Sequence, residues 1–542
     1  MQVHLVQQSN IQQKKQPQFK GAVDGTLRFL ATNQGVGANL TDLSFMVIPR
    51  VASDAQRGPD ACIETARREA SGTANHSSVG IYGAVAGSMV ALLMGINNKF
   101  GTNVNSMFTA PETLDILAEN KARQVKNNAS QLDYLKETFA NLKAFNPTAK
   151  NADKDGYVRL SKETIDDVSK IIDKALNNPN MDFKQWKKND TVDSLRVVMN
   201  KMIAATGAES GYVLESAEKG KPSSTSLNSL LEDIYKVSDS FNKDEVKKAF
   251  AEQVKNGKSI KDNSFVQKFG KFMKSRAAAG FAIATAVGMS IQPINIYLTK
   301  LKTGSDGFVG VEGRSKDNSA GFKAMKAGAS AGFLGLTMAT LGTGFKGFMS
   351  KMAFKGFWPT IDQLKGIYGL TIISRLMAAR DKDELRESLT KDFLGYLSWL
   401  VLGDIVNRVT AEVTDKSVMN RTKEVGEQSF FKRVFNSKLK TRDEILIETL
   451  SQNGIDVVKK DGDKTIAKSF KELMKELDKL PEQTRKATKK RLGTLNKAQL
   501  AGYLFSGLVL GLGIPNLNIY ITNKLDKQRK EKLAKEAELA RA

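Results

Sequence analysis

Residues 498–523 read AQLAGYLFSGLVLGLGIPNLNIYITN and contain no charged side chain. A helix needs about 20 consecutive apolar or small residues to cross the hydrocarbon core of a bilayer, and this stretch is longer. Residues 277–299, AAAGFAIATAVGMSIQPINIYLT, are uncharged over a similar length. We therefore expect both of these stretches, and the shorter stretch 79–98, to form continuous membrane helices. The alternative is that each is a buried central helix of a large soluble protein.

Two further uncharged stretches are weaker candidates. Residues 79–98 (VGIYGAVAGSMVALLMGINN) reach only the lower limit for a span, and residues 327–345 (AGASAGFLGLTMATLGTGF) are rich in glycine. In lipid, small residues four positions apart allow helix backbones to approach closely. Both stretches contain such pairs, which are therefore predicted helix contacts: Gly83/Gly87 and Gly328/Gly332.

Two more apolar segments contain charges. Arg375 interrupts residues 366–379, and Asp404 and Arg408 interrupt residues 393–409. An ionisable group in lipid is costly unless it faces a partner or a water-filled cavity. Because their charges are opposite, we predict that Arg375 and Asp404 pair inside the bundle. The alternative is a pair of amphipathic helices with both charges in water or at headgroup level.

The two strongest segments also resemble each other. GMSIQPINIYLT (288–299) and GLGIPNLNIYIT (511–522) match at a constant offset of 223 residues. Matching interrupted segments in two halves of a membrane chain are typical of transporter repeats, although chance similarity remains the alternative. Each proline removes a backbone donor, which predicts similar bends and a freed carbonyl in each helix. Two asparagines close by are predicted to face the bundle and to donate to those carbonyls or to each other. The four residues of this candidate site are Pro293, Asn295, Pro515 and Asn518.

Polar stretches separate the apolar segments. Residues 101–275 carry apolar side chains at helical spacing, which predicts an all-helical soluble insert. Residues 411–497 are predicted to be mostly helical, with a small hairpin at 456–467 around an Asp-Gly turn. The other predicted ranges are a disordered N-terminus (1–20), amphipathic helices with the first membrane helix (21–100), membrane helices (276–410), the last membrane helix (498–523) and a charged helical tail (524–542). The predicted fold class is all-α, a glycine-rich polytopic membrane helix bundle of four to six helices with helical soluble inserts.

Composition limits the chemistry that the chain can perform. Its 542 residues include one cysteine and two histidines, which excludes an intramolecular disulfide and argues against cysteine-rich or multi-histidine metal centres. We predict no catalytic residue and no cofactor. The net charge of +24 predicts an anionic partner. With only 7% aromatic residues, base stacking has little support, so the predicted partner is a bilayer with anionic headgroups rather than nucleic acid; a homo-oligomer is also allowed.

One motif resembles the first eight positions of an EF-hand calcium loop. Asn151, Asp153 and Asp155 occupy the first three ligand positions, and Gly156 occupies the turn position. The twelfth position, which should provide a bidentate carboxylate, is Lys162, and Glu163 comes one residue late. We therefore expect calcium binding no tighter than millimolar. The alternative is a polar turn before a helix that begins near Ser161.

Three stretches carry a resemblance to known sequences. PQFKGAVDGTLRFLATNQGVGANLTDLSFMVIPR (17–50), RGPDACIETARREASGTAN (57–75) and LTIISRLMAARDKDELRESLTKDFLGYLSWLVLGD (370–404) resemble an uncharacterised family of predicted membrane proteins in gut-dwelling, non-photosynthetic relatives of cyanobacteria. The resemblance implies a bacterial membrane location. It implies no activity and no functional residue.

The favoured function is that of an integral protein of the bacterial inner membrane, without a signal peptide, that acts in membrane organisation or transport without chemistry of its own. A soluble basic helical protein that binds nucleic acid or another polyanion is the first alternative. An interfacial lipid-binding protein that does not span the bilayer is the second.

Overall fold

The computed structural model describes eleven parts of the chain: residues 25–30, 34–55, 58–76, 93–102, 111–188, 191–215, 225–304, 316–342, 345–352, 360–462 and 464–541. Of the residues in these parts, 78% are helical and 6% are in strands, which confirms the all-α class in its main feature.

The N-terminal part forms two packed helical rods. The first contains α1 (Gln34–Asp42) and α2 (Ile48–Ala55), which a π-helical turn at Leu43–Val47 joins without a break. The second is α3 (Pro59–His76), which packs against α2. Proline suits the first helical position because the N–H that it lacks would have no partner there.

The first polar region combines helices with a small sheet. Its elements are α4 (Pro111–Lys126), α5 (Gln131–Ala140), β1 (Leu142–Phe145), β2 (Tyr157–Arg159), α6 (Lys162–Leu176), α7 (Phe183–Trp186), α8 (Leu195–Thr206), β3 (Ser210–Leu214), β4 (Thr225–Ser226), α9 (Leu227–Phe241) and α10 (Asp244–Lys255). The strands form one antiparallel sheet in the order β2-β1-β3-β4.

The prediction of an all-helical insert at 101–275 is therefore wrong in this detail. Strand β1 has four residues, of which Leu142 and Ala144 are fully buried. It pairs with β3 so that Leu142 faces Leu214 and Ala144 faces Tyr212. Two buried positions are too few for the alternation of a strand to be distinguished from helical spacing in the sequence.

The middle of the chain supplies long helices. They are α11 (Ser264–Thr303), α12 (Ala320–Leu341), α13 (Phe345–Met352), α14 (Ile361–Ala378), α15 (Lys382–Leu397) and α16 (Gly403–Thr414). A second π-helical turn, Ser398–Leu402, joins α15 to α16. Helix α14 packs against both α11 and α12 and forms the centre of the bundle.

The second polar region leads into the final helices. Its elements are β5 (Met419–Asn420), α17 (Lys423–Glu427), α18 (Phe430–Asn436), β6 (Lys438–Leu439), α19 (Arg442–Gln452), β7 (Val458–Asp461), β8 (Lys464–Ala467), α20 (Phe470–Lys479), α21 (Glu482–Leu508) and α22 (Ile514–Arg541). Strands β7 and β8 form the hairpin expected at 456–467. A third π-helical turn, Val509–Gly513, makes α21 and α22 one continuous rod.

The two polar regions share one of the hydrophobic cores of the protein. Leu446 and Leu450 of α19 and Leu477 of α20 belong to the same buried cluster as Val197 and Ile203 of α8. The separate regions at 101–275 and 411–497 thus fold against each other. A second cluster lies within the helix bundle and includes Met46, Leu364, Tyr368, Tyr396 and Leu510.

Close helix contacts do occur at glycine, but not at the predicted pair on α12. At Gly328 and Gly332 an added methyl group would meet open space. Helices α16 and α21 instead approach each other at Gly403 and Gly502, where a methyl group on Gly502 would lie 2.7 Å from the carbonyl oxygen of Gly403. Gly83 and Gly87 lie outside the described residues.

Two helices of the described chain are long and apolar enough to cross a membrane. They are Ser264–Lys302, and Glu482–Leu525 across the third π turn. Both predicted strong segments therefore lie in helices of sufficient length. The stretch 327–345 does not belong to this set, and most of 79–98 lies outside the described residues. A bundle of four to six spans is not confirmed.

Candidate functional site: a buried charge network in the helix bundle

Five charged side chains from four helices meet inside the bundle. Arg375 on α14 donates to Asp392 on α15 at 3.0 Å and lies 4.0 Å from Glu69 on α3. Glu69 also accepts from Arg50 on α2 and from Lys391 on α15, each at 3.0 Å. Three cations and two carboxylates therefore join α2, α3, α14 and α15. We call these five residues the charge network.

The predicted pairing of Arg375 with Asp404 is wrong. Asp404 lies on α16 and accepts from Arg408, four residues further along the same helix. The side chain of Asp404 is 58% exposed, whereas Asp392 is almost completely buried. Arg375 therefore pairs with Asp392 of α15 and lies close to Glu69 of α3. Sequence reasoning missed Asp392, although it directly precedes the apolar segment at 393, and Glu69, whose helix carries no long apolar run.

The charge network is desolvated and incompletely satisfied by protein groups. The side chains of Arg50, Glu69 and Asp392 are each less than one-tenth exposed. Nε and Nη2 of Arg50 and Nε of Arg375 are buried without a hydrogen-bond partner. Removing one member of such a network leaves a buried charge uncompensated, which is far more costly than losing an exposed ion pair.

Glycines give the two arginines room within the helix contacts. A methyl group on Gly72 of α3 would lie 3.2 Å from Nη2 of Arg375. One on Gly395 of α15 would lie 3.7 Å from Nη2 of Arg50. Gly72 and Gly395 therefore leave space for the guanidinium groups between the helices.

The charge network lies beside the middle of both uncharged stretches, 277–299 of α11 and 498–523 of α21 and α22, which we call the apolar rods. Ser374, which precedes Arg375, donates its hydroxyl to the carbonyl oxygen of Met289 at 2.7 Å, and Met289 is near the middle of the uncharged stretch 277–299. Pro49, which precedes Arg50, packs against Gly511 near the middle of 498–523.

The Ser374 hydroxyl also explains how α11 tolerates Pro293. Proline has no N–H, so the carbonyl four residues earlier loses its helical partner. That carbonyl belongs to Met289, and it accepts a hydrogen bond from the hydroxyl of Ser374 on α14 instead. The prediction that Asn295 would donate to a freed carbonyl is therefore incorrect for this helix, because a side chain from a neighbouring helix does so.

Asn295 itself is buried and faces α3. Its amide donates to Ser71 at 3.1 Å, and Arg67 donates both to its side-chain oxygen at 3.1 Å and to its backbone carbonyl at 3.2 Å. Arg67 also donates to Thr299 at 2.9 Å. One arginine thus recognises the Asn-x-x-x-Thr face of α11.

Asn518 has a related environment on α22. Its amide donates to Glu387 of α15 at 3.2 Å, and Arg386 donates to Thr522 at 3.4 Å. The two asparagines therefore both turn toward a neighbouring helix, as predicted, but they do not contact each other. In both matched segments the threonine accepts from an arginine of that helix, but only Asn295 bonds to the same arginine, whereas Asn518 bonds to Glu387.

The helical geometry of the two segments differs. Helix α11 continues regularly through Pro293, whereas Pro515 follows the π-helical turn in which the N–H of Ile514 bonds to the carbonyl oxygen of Val509. An extra residue in a turn shifts the hydrogen-bond ladder and accommodates a proline without a clash. The similarity between 288–299 and 511–522 therefore extends to part of their polar contacts and not to their backbone geometry.

The calcium-loop candidate is the connection of a β-hairpin. Residues 146–156 join β1 to β2, so no helix precedes the loop. Asp153 uses one carboxylate oxygen to accept from the N–H groups of Asp155 and Tyr157 at 3.0 and 2.8 Å. These backbone hydrogen bonds hold the pKa of Asp153 below its usual value. Glu163 lies beyond β2 in the first turn of α6, which Ser161 caps.

A second charged cluster lies beside the core that the two polar regions share, and no sequence pattern indicated it. Asp443 of α19 accepts from Arg28 at 2.8 Å and pairs with Arg196 of α8. The adjacent Glu444 accepts from the backbone N–H groups of Glu209 and Thr441 at 2.6 and 2.7 Å. Burial raises the pKa of Glu444 to about 7, because these hydrogen bonds offset it only in part.

Among the described residues, no group of three or more histidine, cysteine, aspartate or glutamate side chains is arranged to hold a metal ion. None of the known protein-family models matches the chain, and no curated protein and no solved structure shows significant similarity to it.

Proposed function

We propose that this chain is an integral membrane protein that acts in transport, with the charge network as its intramembrane polar site. One observation carries the proposal: the two helices that could cross a bilayer have apolar surfaces that the rest of the described chain leaves largely uncovered. Only 25% of the most apolar window of the first helix is buried, and 22% of the second. A core helix of a soluble protein would be buried over most of its surface.

The exposed surface of α21 and its π turn is continuous. Leu500, Leu504, Leu508 and Leu512 are all exposed and follow one another at intervals of four residues, which is one face of a helix. Each leucine that leaves water gains about 1.5–3 kcal/mol. A bilayer covers such a face along its whole length, and the length of the stretch, 498–523, suits it.

The charge network supports transport over a purely structural role in the membrane. Ionisable groups at the mid-height of apolar helices are expensive, and where they occur they commonly belong to the path of a solute or ion. The segments with Pro293 and Pro515 match in sequence, as the two halves of transporter repeats do, although both helices continue through the proline. Membrane organisation is the second candidate, in which the charge network only fixes how α2, α3, α14 and α15 pack.

The proposed location is a membrane with anionic lipids, such as the bacterial inner membrane. The net charge of +24 supports an anionic surface. Lysines flank the uncharged stretch 277–299 at both ends: Lys274 precedes it, and Lys300 and Lys302 follow it. These would lie at headgroup level, where each basic residue contributes about 1 kcal/mol of attraction.

Fractionation of cells that produce the full chain tests the proposal. Membranes are washed with concentrated salt and then with sodium carbonate at high pH, and each fraction is assayed for the protein. We expect it to resist both washes and to be released by detergent. Release by salt would support the soluble polyanion-binding alternative, and release by carbonate alone would support the interfacial one; either would overturn the proposal.

A further inference from the structure

Helix α18, Phe430–Asn436, exposes large aromatic side chains on the surface of the protein. Phe431 is 71% exposed and Phe435 is 56% exposed, while Val434 between them is buried. Lys432 and Lys438, close to them in the sequence, are exposed as well. Aromatic side chains rarely stay in water in this way, and a pair of them flanked by lysines is typical of segments that lie in a membrane interface.

The orientation of α18 is fixed by polar contacts with α16. Arg408 donates to the carbonyl oxygens of Val434 and Phe435 at 3.2 and 2.9 Å, which satisfies the end of the short helix. Arg433 is held on the inner face by Glu412 at 2.8 Å. The two phenylalanines are therefore presented outward by a supported helix.

The position of α18 along the length of α21 follows from the packing of α16 against α21. These helices run in opposite directions, because Gly403 meets Gly502 whereas Ser417, just beyond α16, accepts from Arg491. Arg408, which holds α18, follows Asn407, and the side-chain oxygen of Asn407 contacts the backbone of α21 at Gly502. Residue 498 is the first of the uncharged stretch, so α18 lies at the end of the apolar rod where the polar region begins.

We propose that α18 is an interfacial anchor that inserts Phe431 and Phe435 between the headgroups of anionic phospholipids. This inference rests on the proposed function, because the apolar face of α21 defines the membrane that α18 would meet. Two features support a lipid occupant. Phe431 and Phe435 lie near the end of α21 at which the exposed leucines begin with Leu500 and Leu504, and the exposed Lys432 and Lys438 are complementary to phosphate.

Depth-dependent fluorescence quenching tests the anchor in the full chain. Cys62, the one cysteine, is replaced by alanine, and single cysteines are introduced as F431C, L512C and L539C. Each is labelled with bimane and reconstituted into vesicles of zwitterionic and anionic phospholipid that carry a nitroxide either near the headgroup or deep in the acyl chain. L512C reports the apolar rod, and L539C reports the exposed charged tail.

We expect the label at 431 to be quenched at least twofold more by the shallow nitroxide than by the deep one, and the label at 512 to show the reverse order. The label at 539 should be quenched by neither. If 512 is quenched and 431 is not, α18 faces water or another protein, and the anchor is overturned while the membrane assignment stands. If 512 is not quenched either, the proposed function fails and the anchor fails with it.

A charge variant tests the lipid chemistry separately. K432E places a carboxylate beside the rings without removing either of them. We expect it to reduce shallow quenching at 431 in anionic vesicles and to change it little in purely zwitterionic ones. Equal quenching of both proteins in anionic vesicles would overturn the role of anionic headgroups.

Discussion

The hydroxyl of Ser374 donates to the carbonyl oxygen of Met289 at 2.7 Å and thereby supplies the hydrogen bond that Pro293 removes from α11. This contact fixes the height of α14 against α11, and Arg375 is the next residue along α14. The position of the charge network along α11 is therefore linked to Pro293, which was predicted from the sequence to disturb this helix.

The contact between Ser374 and Met289 can be tested with a double-mutant cycle. S374A should destabilise the protein by about 1–3 kcal/mol, because it leaves the partly buried carbonyl of Met289 without a hydrogen-bond donor. In the background of P293A the same change should cost little, since alanine restores the N–H that bonds to Met289. Thermal unfolding of the purified protein in detergent measures both. S290A is the control, because Ser290 bonds only within its own helix and is exposed. Equal losses in the two backgrounds would show that Ser374 acts through another contact.

The charge network predicts strong coupling between Arg375 and Asp392. R375M or D392L alone should cost about 3–5 kcal/mol, because each leaves a buried charge without its partner. The double variant should cost less than the sum. K302M removes an exposed pair with Asp60 and should cost at most about 1 kcal/mol. The effects of R375M and D404N should be additive, since these residues do not meet; non-additivity there would contradict the structure.

Substitutions of two glycines distinguish a position in a close helix contact, Gly502, from one that faces open space, Gly332. G502A would push a methyl group against the backbone of α16 and should destabilise the protein by about 1–3 kcal/mol. G332A meets open space and, as a helix interior position, should be neutral or stabilise by up to about 1 kcal/mol. Both are compared by thermal unfolding in the same detergent. A larger loss for G332A than for G502A would contradict the packing of α16 on α21.

Glu444 predicts a pH dependence of stability. Its pKa is about 7 in the folded protein and near its ordinary value, about 4.5, when unfolded. The folded state thus binds the proton more tightly, so this contribution is complete below about pH 4.5 and is lost as the pH rises through 7. The loss is ~3 kcal/mol at most, since one pKa unit corresponds to about 1.4 kcal/mol.

Comparison with E444Q isolates that contribution. The variant cannot ionise, so its unfolding midpoint should fall less than that of the native protein between about pH 5 and 8. Identical pH profiles for the two proteins would show that Glu444 does not titrate in this range.

The sequence predicted the features that depend on composition along one segment. The two long apolar rods, the hairpin at β7 and β8 and the inward asparagines all follow from local patterns. The partners of Arg375 could not be predicted, because Glu69 belongs to a polar-looking helix more than 300 positions away and charge alone made Asp404 equally suitable. The sheet of the first polar region was missed because its strands are two to five residues long. The shared core of the two polar regions depends on contacts between distant segments, for which a single sequence holds no signal.

The most direct test of the membrane assignment is the chemical accessibility of residue 508. Leu508 is 61% exposed on the protein surface, near the middle of the uncharged stretch. In the C62A background, L508C and L539C are each reacted with a water-soluble maleimide in open membrane sheets. A face covered by lipid predicts that L508C reacts only after denaturation in detergent, whereas L539C reacts at once. Reaction of L508C in intact membranes as fast as that of L539C would show that the apolar face of α21 lies in water and would contradict the assignment.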